Sequence, residues 1–249
     1  MNQPTESVRV EHSPKRVRAL VDGVAVLDSR AAVLVWEHPR YPTYYLPLTD
    51  VSAELVDTGR VEPDPARGAG HVLDLAVTGR ALEAAARAYP DSPLSALRDL
   101  VRIEWGAMDQ WLEEDEPVYV HPRDPYKRVD ILASSRRVRV ELDGVTLADS
   151  ARPRILFETS LIPRYYVPLP DVRTDLLRRS ETTSHCPYKG VASWWSVQVG
   201  AALHEDLAWT YQAPLPESQQ VAGLVCFQDE RVDMVLDGEP QPRPATPFV

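Results

Sequence analysis

The stretch Val17 to Val51, VRALVDGVAVLDSRAAVLVWEHPRYPTYYLPLTDV, returns as Val138 to Val172, VRVELDGVTLADSARPRILFETSLIPRYYVPLPDV. The two align without a gap at a constant shift of 121, with 15 of 35 positions identical. Such a match within one chain marks a duplication, so the 249 residues divide into two small domains and not one large one. With one extra residue in the second copy, Pro65-Ala66-Arg67-Gly68 falls on Pro187-Tyr188-Lys189-Gly190, and Glu83, Ala86 and Tyr89 fall on Glu205, Ala208 and Tyr211. Arg128-Val129-Asp130 against Arg231-Val232-Asp233 closes the match. Val51 to Arg128 is 77 steps and Val172 to Arg231 is 59, so the first copy gains 18 residues.

The resulting division is an N-terminal tail over 1–16, a first repeat over 17–130 with an insertion around 90–117, a linker over 131–137, a second and better preserved repeat over 138–240, and a C-terminal tail over 241–249. Val138 to Leu142 alternates apolar and polar residues and meets Asp143-Gly144, a two-residue hairpin signal that Asp22-Gly23 repeats. Arg154 to Glu158, Arg164 to Val167, Ser193 to Val199, Gly223 to Gln228 and Val232 to Leu236 read as further strands. Helix is expected only at Ala81 to Tyr89, stopped by Pro90, and in part of Leu94 to Leu112. The 23 prolines suit short strands and frequent turns.

Tyr165-Tyr166-x-Pro168, Cys186-Pro187-Tyr188-Lys189-Gly190, Trp194-Trp195-Ser196-Val197 and Asp237-Gly238 resemble the motifs of the domain of unknown function 427 family. The resemblance covers the second copy throughout, whereas the first departs from the pattern between Val56 and Val72. It implies a mainly β chain of two tandem small β-tent-like, or Mss4-like, domains with little helix. Folds of that kind often hold zinc between two pairs of cysteines, and only Cys186 and Cys226 are present, so no metal site and no cofactor are expected. The family brings no established reaction, and the nucleotidyltransferase label once attached to it finds no glycine-rich phosphate loop in this chain.

Tyr165, Tyr166, Tyr188, Tyr211, Trp194, Trp195 and Trp209 crowd the second copy, as core or as the wall of a ligand cleft. Strand alternation sends Trp194 and Trp195 to opposite faces, so only one of them can line a given pocket. Lys189 and Arg67 put a cation before a glycine in both copies, a place suited to a small anionic group, with Glu158 or Asp171 as possible partners and Tyr44 and Tyr45 as the tyrosine pair of the first copy. Three functions remain open: a small-molecule binding module with an aromatic cleft, an enzyme using Lys189 with Glu158 or Asp171, and a structural or regulatory tandem repeat. His185-Cys186 is a poor thiolate pair, because sequence neighbours on an extended chain face apart.

A formal charge of −10 argues against nucleic acid and anionic membrane as partners, and the absence of a signal core or an 18-residue apolar run points to the cytoplasm. The run Glu113 to Glu116 is expected to be a solvated segment.

Overall fold

A computed structural model describes residues 8–77 and 79–246. Residues 1–7 of the expected N-terminal tail and 247–249 of the expected C-terminal tail lie outside them. The fold is mainly β, in two units that divide between Asp124 and Pro125.

The first unit runs β1 (Val10–His12), β2 (Val17–Val21), β3 (Val24–Ser29), β4 (Val33–His38), β5 (Tyr41–Pro47), β6 (Glu54–Asp64), β7 (Gly68–Val77), β8 (Arg80–Ala88), β9 (Leu100–Ile103), β10 (Gln110–Glu113) and β11 (Glu116–Val118). The second runs β12 (Val129–Ala133), β13 (Val138–Leu142), β14 (Val145–Ser150), β15 (Arg154–Glu158), β16 (Arg164–Val167), β17 (Leu177–Cys186), β18 (Gly190–Val199), β19 (Ala202–Thr210), β20 (Val225–Phe227), β21 (Asp233–Leu236) and β22 (Glu239–Pro240). Each unit has a seven-stranded antiparallel sheet, ordered β1-β4-β5-β9-β8-β7-β6 or β12-β15-β16-β20-β19-β18-β17. Each adds a four-stranded sheet, β11-β10-β2-β3 or β22-β21-β13-β14. Strand for strand the two topologies are the same.

The hairpin prediction holds in detail. Asp22 and Gly23 have φ of 49° and 75°, Asp143 and Gly144 have 49° and 77°, as a turn with two left-handed residues requires. The helix expectation fails. Ala81 to Tyr89 carries helix-forming residues, yet Arg80–Ala88 is an inner strand hydrogen-bonded to β7 on one side and β9 on the other. Pairing on both edges outweighs a local preference of a few tenths of a kcal/mol per residue, roughly the span of ordinary helix propensities. Among the described residues the only helical pieces are short 3-10 turns, two of them within Leu94 to Leu112.

Strand pairing also redraws the expected insertion and linker. Tyr45 of β5 faces Arg102, and Tyr166 of β16 faces Cys226, so β9 is the counterpart of β20 at a shift of 226 − 102 = 124. Val17 faces Glu113 and Val138 faces Leu236, so β10 is the counterpart of β21 at a shift of 123. Residues 90–117 are therefore the closing strands of the first module, not an addition to it. Val129 and Asp130 belong to β12, which pairs with β15 as β1 pairs with β4, so residues 10–12 and 129–133 open the two modules. Glu113, expected in a solvated run, is instead buried at 4% exposure, where it accepts from Lys15 Nζ at 2.5 Å and from the Tyr44 hydroxyl at 2.6 Å.

A core lies between the two sheets of each module, built on Val17, Leu27, Leu46, Leu75 and Trp111 in the first and on Val138, Leu147, Val167, Leu207 and Phe227 in the second. The opposite face of each seven-stranded sheet carries a second cluster. In the first module it is Val33, Val35, Tyr45, Tyr89, Leu97 and Leu100, and in the second it includes Tyr166, Ala192, Trp209, Tyr211 and Cys226, with Trp194 packed against them.

Candidate functional site

The alternation of β16 and β18 decides which aromatic residues meet. Tyr165 and Trp195 pack against the core between the sheets, whereas Tyr166 and Trp194 join the outer face. There the Trp194 and Trp209 rings lie 5.2 Å apart, Tyr166 meets Trp209 edge-on at 6.5 Å, and Trp209 Nε1 donates to the Tyr166 hydroxyl at 3.2 Å. Trp194 Nε1 donates to Ser184 Oγ at 2.9 Å.

Beside this aromatic group the turn from β17 to β18 delivers Lys189. Cys186 pairs with Gly190 across the turn, and Gly190 takes φ of 93°, a left-handed value that a side chain would disfavour. Lys189 Nζ lies 2.5 Å from Glu158 Oε2, and both side chains are mostly withdrawn from solvent. Burial opposes the ammonium charge, but Cys186 and Glu158 outweigh it and push the pKa of Lys189 up. Tyr211 lies within the field of the same groups, and its hydroxyl pKa is raised by burial more than Lys189 lowers it. Tyr188 is buried in the turn, where its carbonyl accepts from Ser218 Oγ.

The structure thus gathers Glu158, Lys189, Tyr166, Tyr211, Trp194 and Trp209 on one face. It does not bring Asp171 there. Asp171 accepts from Ser150 Oγ at 2.7 Å and from Arg152 at 3.1 Å, as Asp50 accepts from Ser29 Oγ at 2.6 Å in the first module, so the repeated Asp and Ser tie a turn to a strand end. Lys189 is mostly buried and turned toward Glu158.

The first module fills the same place differently. With a shift of 122 through β7 and β8, Trp194 corresponds to Val72, Trp209 to Arg87, Ser184 to Glu62 and Cys186 to Asp64, while Cys226 corresponds to Arg102. All of these but Val72 join one ion network with Glu37, Arg67 and Glu104. Arg67 binds Asp64 at 2.5 Å and also Glu37, Glu37 binds Arg102 at 3.1 Å, Arg102 binds Glu104, and Arg87 reaches Glu62 at 2.9 Å and Glu104 at 3.7 Å. The Tyr45 hydroxyl donates to Glu37 at 2.5 Å and accepts from Arg67 at 2.9 Å. Tyr44 is absent from this group, because its hydroxyl points into the core between the sheets toward Glu113. The repeated Glu37 and Glu158 were the sequence signal for the shared acid. Nothing marked Arg87, Arg102 and Glu104, since the shift drifts from 121 to 124 along the chain and takes them out of the gap-free match.

Arg164 was not foreseen either. Its guanidinium donates to Glu230 at 2.8 and 2.6 Å, lies 3.7 Å from Asp229 and stands 5.6 Å from the Trp209 ring centre. Among the described residues no three His, Cys, Asp or Glu side chains are grouped to hold a metal ion, and no helix is long and apolar enough to cross a membrane.

Two modules of one mainly β topology, each with a cation and an acid joined on the outer face of its larger sheet, define a tandem-repeat β protein. A family model described as a domain of unknown function (DUF427) matches residues 9–114 and again 130–238, and the chain belongs to that family. Both matches begin at the opening strand of a module. No curated protein matches the chain.

Proposed function

We propose that the second module is the chain's binding module, taking a small molecule with a flat apolar part against Trp194 and Trp209 and a polar edge toward Lys189 and Glu158. One observation carries this reading: where the first module has Arg87, Glu62 and Asp64 in a network of charges that satisfy one another, the second has Trp209, Ser184 and Cys186, with aromatic rings beside the Lys189–Glu158 pair. Apolar and aromatic walls with few convergent polar groups are the usual make-up of small-molecule sites. The two-sheet module supports the β-tent likeness, and the self-compensated face suits the first copy to a structural role.

The expected anionic ligand is less favoured than a neutral polar one. Glu158 already balances the Lys189 charge, so an anion must compete with it, while a neutral amide can use one donor and one acceptor. An enzyme using Lys189 as a base would need it to give up a proton that Cys186 and Glu158 hold in place. Benzamide and benzoate, nearly equal in shape and different in charge, test the reading. Benzamide is expected to change tryptophan fluorescence saturably at millimolar concentration and benzoate to do so more weakly, with both responses lost in Trp194→Ala. No response to either, or the same response in Trp194→Ala, overturns it.

A further inference from the structure

The turn after β20 sets two acids, Asp229 and Glu230, against one guanidinium. Arg164 is engaged by both oxygens of Glu230, and Asp229 is left at 3.7 Å with its side chain 8% exposed. Glu230 is further fixed by the Thr246 hydroxyl, which donates to it at 2.6 Å. The second acid is thus a buried like charge beside a cation already in use, an arrangement in which two carboxylates and one arginine do not all stay ionised at low cost. At the equivalent place the first module has no such group. At a shift of 124 Asp229 and Glu230 correspond to Trp105 and Gly106, and Arg164, at 121, corresponds to Thr43.

We propose that Asp229 is a proton-operated switch on the aromatic face, its carboxyl competing with Glu230 for the guanidinium that stands over Trp209. With Asp229 protonated, Arg164 is held by Glu230 alone and keeps its place against the indole. With Asp229 ionised, the guanidinium is drawn toward a second carboxylate and its position over the ring changes. The titratable and charged groups bearing on Asp229 are Arg164 and Tyr165 from β16, Cys226 from β20 and Glu230 beside it. Burial pushes the Asp229 carboxyl up to about 7, against the pull of Arg164 and with the help of Glu230, while Glu230 is held down to about 2, burial being outweighed by Arg164 and Thr246. The two acids titrate far apart, and only Asp229 changes charge near neutrality.

The switch does not depend on the face binding a ligand, so the test uses none. Tryptophan emission of the full chain is followed from pH 5 to 9. A transition within about one pH unit of 7 is expected, absent in Asp229→Asn and in Trp209→Phe. A change that comes from any other group survives in Asp229→Asn, which separates the two. Carbon-13 NMR of the aspartate carboxyls in the wild-type protein gives a reading that needs no variant to fold. A titration of Asp229 below pH 5, or an emission change that persists unaltered in Asp229→Asn, overturns the proposal.

Discussion

Lys189 Nζ and Glu158 Oε2 lie 2.5 Å apart in the second module, with the lysine side chain 12% exposed and the glutamate 7%. Each group is the other's ion-pair partner.

Removing one member alone leaves a buried charge without a partner, which costs about 3–5 kcal/mol. Lys189→Met is therefore expected to destabilise the second module by that order in urea unfolding, and Lys189→Met with Glu158→Leu to recover a large part of the loss. An effect below about 1 kcal/mol in the single variant would mean that the pair behaves as an exposed one.

Glu37 is the hub of the first module's network, bound by Arg67, Arg102 and the Tyr45 hydroxyl. Glu37→Gln keeps the shape and removes the charge that all three share, and a loss of about 2 kcal/mol or more is expected from unsatisfied buried partners. Asp175→Asn, which breaks an ion pair with Arg173 open to solvent on both sides, is the control and should show no measurable change. Equal behaviour of the two variants in chemical denaturation would dismiss the network as a stabilising feature.

Stability should fall as pH rises toward neutrality. The folded-state pKa of Asp229, about 7, lies above the ordinary value of 3.8, so the folded protein holds a proton that the unfolded chain releases. The contribution is full below the unfolded pKa and is lost as pH rises through about 7, with a slope of up to about 1.4 kcal/mol per pH unit for one proton. Glu230 has the opposite sign, but its stabilisation is complete above 4.5 and disappears only as pH falls toward about 2, outside this window. Urea midpoints measured from pH 4.5 to 8 should decline in the wild type and lose that part of the slope in Asp229→Asn.

The Tyr89 ring closes the space beside Gly70. A β-carbon there would come 2.9 Å from Tyr89 Cε1 and 3.3 Å from the Glu62 carbonyl oxygen, although Ala192 stands at the equivalent place in the second module. Gly70→Ala is expected to cost about 1–3 kcal/mol through overpacking, whereas Ala192→Gly should cost less than a large-to-small core change. A stabilised Gly70→Ala in thermal unfolding would show that the ring moves aside freely.

Much of the architecture was legible because it is local and repeated. The duplicated block carries the Asp-Gly hairpins, the alternating strands and the paired tyrosines, and period-2 alternation correctly put Trp194 and Trp195 on opposite faces. The pairing of Glu158 with Lys189 was one of two readings, and sequence offered no ground for preferring Glu158 over Asp171. Asp171 is the nearer of the two along the chain, and only the folding of β15 toward the turn before β18 chooses Glu158.

By itself, then, the sequence determined the two-module plan, the β class and the family, since each rests on spacing and side-chain type within short segments. Tertiary structure decided where the modules begin, what Ala81 to Tyr89 becomes, and which charges meet. Strand partners lie tens of residues apart, and small drifts in loop length between the copies move Arg102 against Cys226 without leaving a trace in a gap-free alignment. A helix-forming segment became a strand because edge hydrogen bonds from two neighbours exceed its own preference. The burial that lifts Asp229, and the neighbours Cys186 and Glu158 that hold Lys189 charged against its own burial, come together only once the sheets are assembled.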